Sequence, residues 1–188
     1  VNLIFLNSRG GGSVNASRGF PGRDVGLVLL LLSTLLAGGV GAQEPPGASP
    51  PLPADPFPAG KGVVVVDFDG TPLNLHYYKP ANATGESFVL LFHGASRTAG
   101  GYRDSAVGMA DAFRFLVVVP EFDLERFPNR LYQNGGVFRE DGSAAGAEER
   151  TYAFVPKLVG YVRGREGDAR LPYLLVGFSA GGQFVGRM

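Results

Sequence analysis

The pattern of apolar and polar positions changes character along the chain, and each change marks a different kind of segment. Residues 25–36 (VGLVLLLLSTLL) are an apolar run, and residues 43–60 (QEPPGASPPLPADPFPAG) hold seven prolines with no periodicity. From residue 61 onward short apolar stretches alternate with turn clusters. Residues 63–69 are rich in valine, Asp69-Gly70 is a turn pair, and Leu73, Leu75 and Tyr77 alternate with Asn74, His76 and Tyr78, which predicts a β-hairpin. Residues 87–92 (SFVLLF), 115–119 (FLVVV) and 173–176 (YLLV) are continuous apolar runs, the pattern of strands buried on both faces of a parallel sheet. Between them, residues 104–113 predict a helix with Asp104 as its N-cap. Tyr152, Val155, Val159 and Val162 recur at i, i+3, i+7 and i+10, predicting a second helix over residues 148–163 that Gly164 ends. Residues 121–146 have no period and are longer than a structural connection usually is, as loops that line sites often are. This order of elements predicts an α/β sandwich with a mostly parallel sheet and an N-terminal antiparallel hairpin.

The segments before residue 61 read as targeting and tethering. Arg18 and Arg23 precede the apolar run and the small residues AGGVGA, ending at Ala42, follow it, so residues 18–42 are expected to be a signal peptide cut before Gln43. The run of 12 residues is shorter than the roughly 20 that span a bilayer, so no stable membrane anchor is expected, an uncleaved anchor being the alternative. Residues 1–17 remain an unassigned leader, and residues 43–60 read as a solvated, extended linker. The folded part is then residues 61–188, in a secreted or periplasmic protein. The chain begins with Val and stops at Met188, nine residues after Ser179, and is expected to be a fragment.

Composition removes several kinds of chemistry. With no Cys in 188 residues there is no disulfide, thiolate metal site or cysteine nucleophile. Two histidines, His76 and His93, make a multi-histidine metal site unexpected, and neither a metal nor an organic cofactor is expected. A formal net charge of zero offers no footprint for nucleic acid.

Two motifs compete for the function. The first is Gly177-Phe178-Ser179-Ala180-Gly181 directly after a buried strand, the pattern of a nucleophile elbow. A turn so tight leaves no room for side chains at Gly177 and Gly181, pushes Ser179 out above the sheet, and sets it at a helix N-terminus that favours developing negative charge. Upstream, His93-Gly94 closes another buried strand and opens a small-residue loop, from which the backbone N–H of Ala95 or Ser96 could join that of Ala180 in holding an oxyanion. His93 then shapes the loop rather than acting as a base. The second motif is Asp67-Phe68-Asp69-Gly70-Thr71 after an apolar strand, which resembles the Asp-x-Asp-Gly-Thr signature of haloacid-dehalogenase-like phosphotransferases. That resemblance implies Asp67 as phosphoryl acceptor, Asp69 as acid/base and Mg²⁺ as cofactor. Against it, the residues that follow alternate like a strand instead of opening a loop and helix.

The hairpin, the HGASRTAGGYRD loop, the long aromatic loop and LLVGFSAGGQFVGR, in this order, resemble the α/β-hydrolase superfamily, and within it secreted bacterial esterases of the polyhydroxybutyrate-depolymerase-like and feruloyl-esterase-like type. The resemblance covers residues 61–188 and implies an α/β-hydrolase domain incomplete at its C-terminus. It implies Ser179 as the acyl-forming nucleophile, the amides of Ala95 and Ala180 as the oxyanion hole, and His93, Gly94, Gly177 and Gly181 as structural residues of the site. The acid and histidine of the triad would follow Ser179, and residues 180–188 hold neither, so the chain alone is expected to be inactive. The substrate would be a small or polymeric ester. Phe122, Phe127, Tyr132 and Phe138 would line its pocket or simply pack the core. Tyr102, Arg103 and Asp104 would be site-rim residues or helix-start chemistry, and Asn82 begins a glycosylation sequon. A non-catalytic binding domain on the same fold is the remaining alternative.

Overall fold

The computed structural model describes residues 4–7 and 55–188. The expected signal peptide (18–42) and residues 43–54 of the expected linker lie outside the described residues. Six strands form one sheet: β1 (Ile4–Asn7), β2 (Gly60–Phe68), β3 (Thr71–Lys79), β4 (Phe88–Phe92), β5 (Leu116–Pro120) and β6 (Tyr173–Gly177), in the order β1-β6-β4-β5-β3-β2. The three central strands β6, β4 and β5 run parallel, and antiparallel neighbours flank them on both sides: β3 and β2 beyond β5, and β1 beyond β6. Ile4–Asn7, from the unassigned leader, pairs antiparallel with Leu174 to Gly177 at the outer side of β6. Among the described residues no helix is long and apolar enough to cross a membrane.

The continuous apolar runs are explained by burial on both faces. Phe88, Leu90 and Phe92 of β4, Leu116 and Val118 of β5 and Leu175 of β6 enter one core. Val89, Leu91, Val117, Val119 and Val176 enter a second core on the opposite face. The second core is capped by α1 (Ala99–Ser105) and α2 (Val107–Phe113), the first by α3 (Phe154–Glu166) and α4 (Ala180–Arg187). Outermost, β2 is buried on one face only, so Val63 and Val65 stay exposed.

Two helix boundaries differ from the pattern. The first helical segment starts at Ala99 rather than Asp104 and breaks at Ala106 into two seven-residue helices. Asp104 therefore caps nothing; it pairs with Lys61 of β2 at 2.9 Å and with Arg103 at 2.9 Å, tying α1 to the hairpin. The second helix is preceded by 3-10 turns at Ala147–Glu149 and Thr151–Ala153, and ends at Gly167, φ 73°, rather than Gly164. Its amphipathic face is as expected, with Val155, Leu158, Val159 and Val162 buried.

The proline-rich segment docks at its end. Phe57 is 2% exposed, its ring edge-on to Tyr77 at 4.9 Å and to Tyr161 at 6.2 Å, with the Arg165 guanidinium 4.3 Å from its centre. Its N–H donates to Glu166 Oε1 (3.1 Å), and Arg165 Nε donates to Asp55 O (2.7 Å).

The Asp67-x-Asp69-Gly70-Thr71 stretch is a hairpin turn. Asp69 and Gly70 have φ of 55° and 84°, as a two-residue type I′ turn demands. Asp67 Oδ1 accepts the Gly70 N–H (2.7 Å), Asp69 Oδ2 accepts from Lys157 Nζ (2.7 Å), and the strand before the turn is the sheet's outer one. The apolar run that suggested a phosphotransferase strand is thus an edge hairpin.

Candidate active site

Strands β4 and β6 are adjacent and parallel, with Phe92 beside Gly177, so the loops after them leave the same end of the sheet side by side. One carries His93, Gly94 and Ala95; the other carries Phe178, Ser179 and Ala180. The Phe178 N–H donates to Phe92 O (3.1 Å), pinning the second loop to the first.

Ser179 is exposed and has φ 53°, ψ −111°, a conformation that L residues rarely hold. The reversal around it is closed by the Gly181 N–H to Phe178 O (2.9 Å) and continued by the Gln183 N–H to Ser179 O (3.0 Å) as α4 begins. A Cβ on Gly177 would run into the carbonyl of Gly181, and a Cβ on Gly181 into the carbonyl of Phe92. Both glycines are therefore required by backbone approach, as the sequence predicts. Ala180, the first residue of α4, is buried, and Ala95 is exposed; neither of their amides donates to a backbone acceptor among the described residues. Both lie beside Ser179's turn, at the positive end of the α4 dipole or on the neighbouring loop.

His93 is fully buried. Its Nε2 accepts the Phe122 N–H (3.0 Å), which leaves Nδ1 to donate to Gly94 O (3.0 Å) and fixes the tautomer. Burial, with the nearby Arg97 cation, holds its pKa below the ordinary value, so the ring is neutral. Its own carbonyl accepts the Tyr132 hydroxyl (2.8 Å), whose phenol burial pushes well above its usual range. His76, the other histidine, lies with Nε2 at 3.1 Å from Glu121 Oε2, and Asn74 Nδ2 donates to the same oxygen (2.9 Å), which together hold the Glu121 carboxyl below its ordinary range against the opposing desolvation.

The aromatic set divides. Phe122, Phe127 and Tyr132 are core residues, while Phe138 is 57% exposed. Of the 102–104 triplet, Arg103 and Asp104 hold α1 to β2, whereas Tyr102 faces the site: its hydroxyl stands over Gly94, and its ring lies 5.8 Å from that of Phe178. Tyr102 and Phe178, with Leu91, Met109 and Val176, line a mostly apolar groove of about 600 Å³ whose polar rim includes Ser96 and Thr98. Asn82 is exposed in its turn.

Arg97 escapes the motif reading. It is 9% exposed, at φ 59°, with Nη1 donating to Phe122 O (2.8 Å), Nη2 to Asn129 Oδ1 (3.4 Å), and the guanidinium 4.4 Å from the Tyr132 ring centre. A lone arginine in the small-residue loop HGASRTAGG is the signal that marks it.

No protein-family model and no curated protein matches the chain. Among solved structures, the chain is similar to poly(aspartic acid) hydrolase-1 from Sphingomonas sp. KT-1, at 34% identity and a TM-score of 0.65, over 70% of this chain and 51% of that one. It is also similar to LpqC, a poly(3-hydroxybutyrate) depolymerase from Bordetella parapertussis, at 32% identity and a TM-score of 0.63, over 69% of this chain and 46% of that one. The chain thus spans about half the length of these structures. It has the α/β-hydrolase fold and resembles the polyhydroxybutyrate-depolymerase-like hydrolases.

Proposed function

We propose that the protein carrying this domain is a serine hydrolase that cleaves carboxylic esters, polymeric ones included, through an acyl-enzyme on Ser179. The observation that carries the reading is the strained Ser179 at the head of α4, held by two glycines whose backbone contacts admit no side chain. Strain of this kind costs about 1–3 kcal/mol and persists where the position has a task. The likeness to a depolymerase and a polymer hydrolase supports the same chemistry.

In this reading Ser179 Oγ attacks the ester carbonyl as a base takes its proton. The carbonyl oxygen becomes an oxyanion held by the amides of Ala180 and Ala95, the alcohol leaves with the proton returned by the base, and water then releases the acid. Neither histidine is in hydrogen-bond contact with Ser179: His93 has both ring nitrogens engaged, and His76 is held on Glu121. Among the described residues neither histidine is therefore placed to serve as the base for Ser179. The groove lined by Tyr102, Met109 and Phe178, the residue before Ser179 in the chain, suits an uncharged acyl chain.

A fluorophosphonate probe tests this directly. The full-length protein is expected to be labelled at Ser179, to hydrolyse p-nitrophenyl butyrate, and to lose both on Ser179→Ala. Retention of labelling in Ser179→Ala would overturn the assignment. Cleavage of poly(aspartic acid) but not of any ester would keep the nucleophile and move the substrate class to amides. Mg²⁺-dependent phosphatase activity lost on Asp67→Asn would restore the phosphotransferase alternative.

A further inference from the structure

A buried guanidinium with no carboxylate in contact is an expensive thing for a fold to keep. Among the described residues Arg97 makes no ion pair, its Nε is buried without a partner, and burial lowers its pKa. Stability alone favours an apolar residue at such a position. Its backbone is also in the left-handed region, which costs a non-glycine residue roughly 1–2 kcal/mol.

The location of Arg97 accounts for both costs. Its N–H donates to Gly94 O (3.1 Å), closing a four-residue turn whose two central residues are Ala95 and Ser96. Closure of that turn sets the direction of the Ala95 amide. The side chain then fastens the turn from outside: the guanidinium holds Phe122 O and Asn129 Oδ1 and stacks on Tyr132. Tyr132 in turn donates to His93 O, and the Phe122 N–H donates to His93 Nε2, so the residue before the turn is tied to the same loop as the residue that ends it. Residues 93 and 97 are thereby anchored at both ends to the 121–146 loop, with the Ala95 amide between the anchors.

Resting on the reading of Ser179 as nucleophile, we propose that Arg97 is a positioning residue of the oxyanion hole, clamping the Gly94–Arg97 turn against the long loop through Tyr132, Phe122 and Asn129. A planar, stacked, forked donor is needed, because one donor reaches a carbonyl, another a side-chain amide, and the face lies on an aromatic ring. Lysine supplies the charge without that geometry. An oxyanion donor works only when held to within about 0.5 Å of its productive position, and removing one such donor costs on the order of 10²–10³ in kcat. A donor that is loosened rather than removed costs less.

The test is made on the full-length protein with Arg97→Lys, Arg97→Met and Tyr132→Phe. Active sites are titrated with the fluorophosphonate, turnover is measured on p-nitrophenyl butyrate, and affinity is measured for a trifluoromethyl ketone, which places its oxyanion in the hole. Both Arg97 variants are expected to lose about tenfold to a hundredfold in kcat per titrated site, with KM changed less than about threefold and ketone affinity falling in parallel. Loss of melting temperature and of titratable sites, with kcat per site and ketone affinity kept, would make Arg97 merely structural and overturn the proposal. So would a matching rise in KM with kcat unchanged. If the Arg97 variants do not fold, Tyr132→Phe, which keeps the ring and drops the hydrogen bond to His93, is expected to lower kcat per site several-fold. Unchanged kcat there would overturn the clamp. A wild-type protein that takes up no phosphonate at Ser179 would instead remove the hydrolase reading itself, an outcome distinct from each of these.

Discussion

Gly94 and Gly181 lie after the adjacent strands β4 and β6, yet they are glycines for different reasons. A Cβ on Gly181 meets the backbone of Phe92 and His93, which cannot move without opening the sheet. A Cβ on Gly94 meets the Tyr102 hydroxyl, the far end of a side chain. Gly181→Ala is therefore expected to destabilise by about 3 kcal/mol or more, at the upper end of what overpacking costs. Gly94→Ala is expected to cost less, and to be largely relieved in a Tyr102→Phe background. A double-mutant cycle read by urea denaturation checks this, and equal costs with no coupling to Tyr102 would contradict it. At this scale much was legible: Ser179, Gly177 and Gly181 stand out because a short motif follows a buried strand. Arg97 is marked only as a lone arginine among small residues, and its role is not legible there because it depends on Phe122, Asn129 and Tyr132, which are 25 to 35 positions away.

Among the elements, the parallel strands and α3 were readable because burial on both faces, or on one helical face, writes itself into the pattern. The start of α1 was not. Its first turn, Ala99-Gly100-Gly101, has little apolar signal and forms where it packs beneath β3 and β5. The proline-rich segment likewise has a composition that favours solvated backbone. Its end is nonetheless held by a cage of Tyr77, Tyr161 and Arg165 that the chain assembles from β3 and α3. Phe57→Ala is expected to cost about 3–5 kcal/mol, the usual range for a buried Phe truncated to Ala. It also frees the backbone on either side, so limited proteolysis is expected to cut near residues 55–60 in the variant at protease levels that spare the wild type. An unchanged cleavage pattern would show that Arg165 and Glu166 hold the segment without the ring.

For the whole molecule, the buried network around His93 links the site to acid stability. A histidine whose folded pKa lies below its unfolded value of about 6.5 is neutral in both states above that pH. As pH falls below it, the unfolded chain binds the proton and the folded one does not, so stability is lost until the folded pKa is reached. The loss approaches about 1.4 kcal/mol per pH unit within that window. Wild-type protein is therefore expected to lose melting temperature between pH 7 and pH 5 more steeply than His93→Gln, which removes the titration while keeping a hydrogen-bonding side chain. Parallel slopes would mean that His93 is protonated in the folded state. The carboxylates with lowered pKa, Glu121 and Asp123 among them, act in the same direction but in the lower window beneath their unfolded values near 4.

By itself the sequence determined whatever depends on neighbours along the chain. Periodicity separates doubly buried strands from an edge hairpin and a one-sided helix, and a glycine two positions before and after Ser179 implies a turn that only glycine tolerates. Tertiary structure alone decided what depends on distant partners. It put the hairpin of the predicted Asp69-Gly70 turn at the outer side of the sheet, sent Phe122 and Tyr132 into the core, docked Phe57 and paired β1 with the edge of β6. It also placed a buried arginine of the loop after β4 against the 121–146 loop. Each of these turns on which surfaces meet across the sheet, and hydrogen bonds and burial between residues far apart in the chain leave no local period to read.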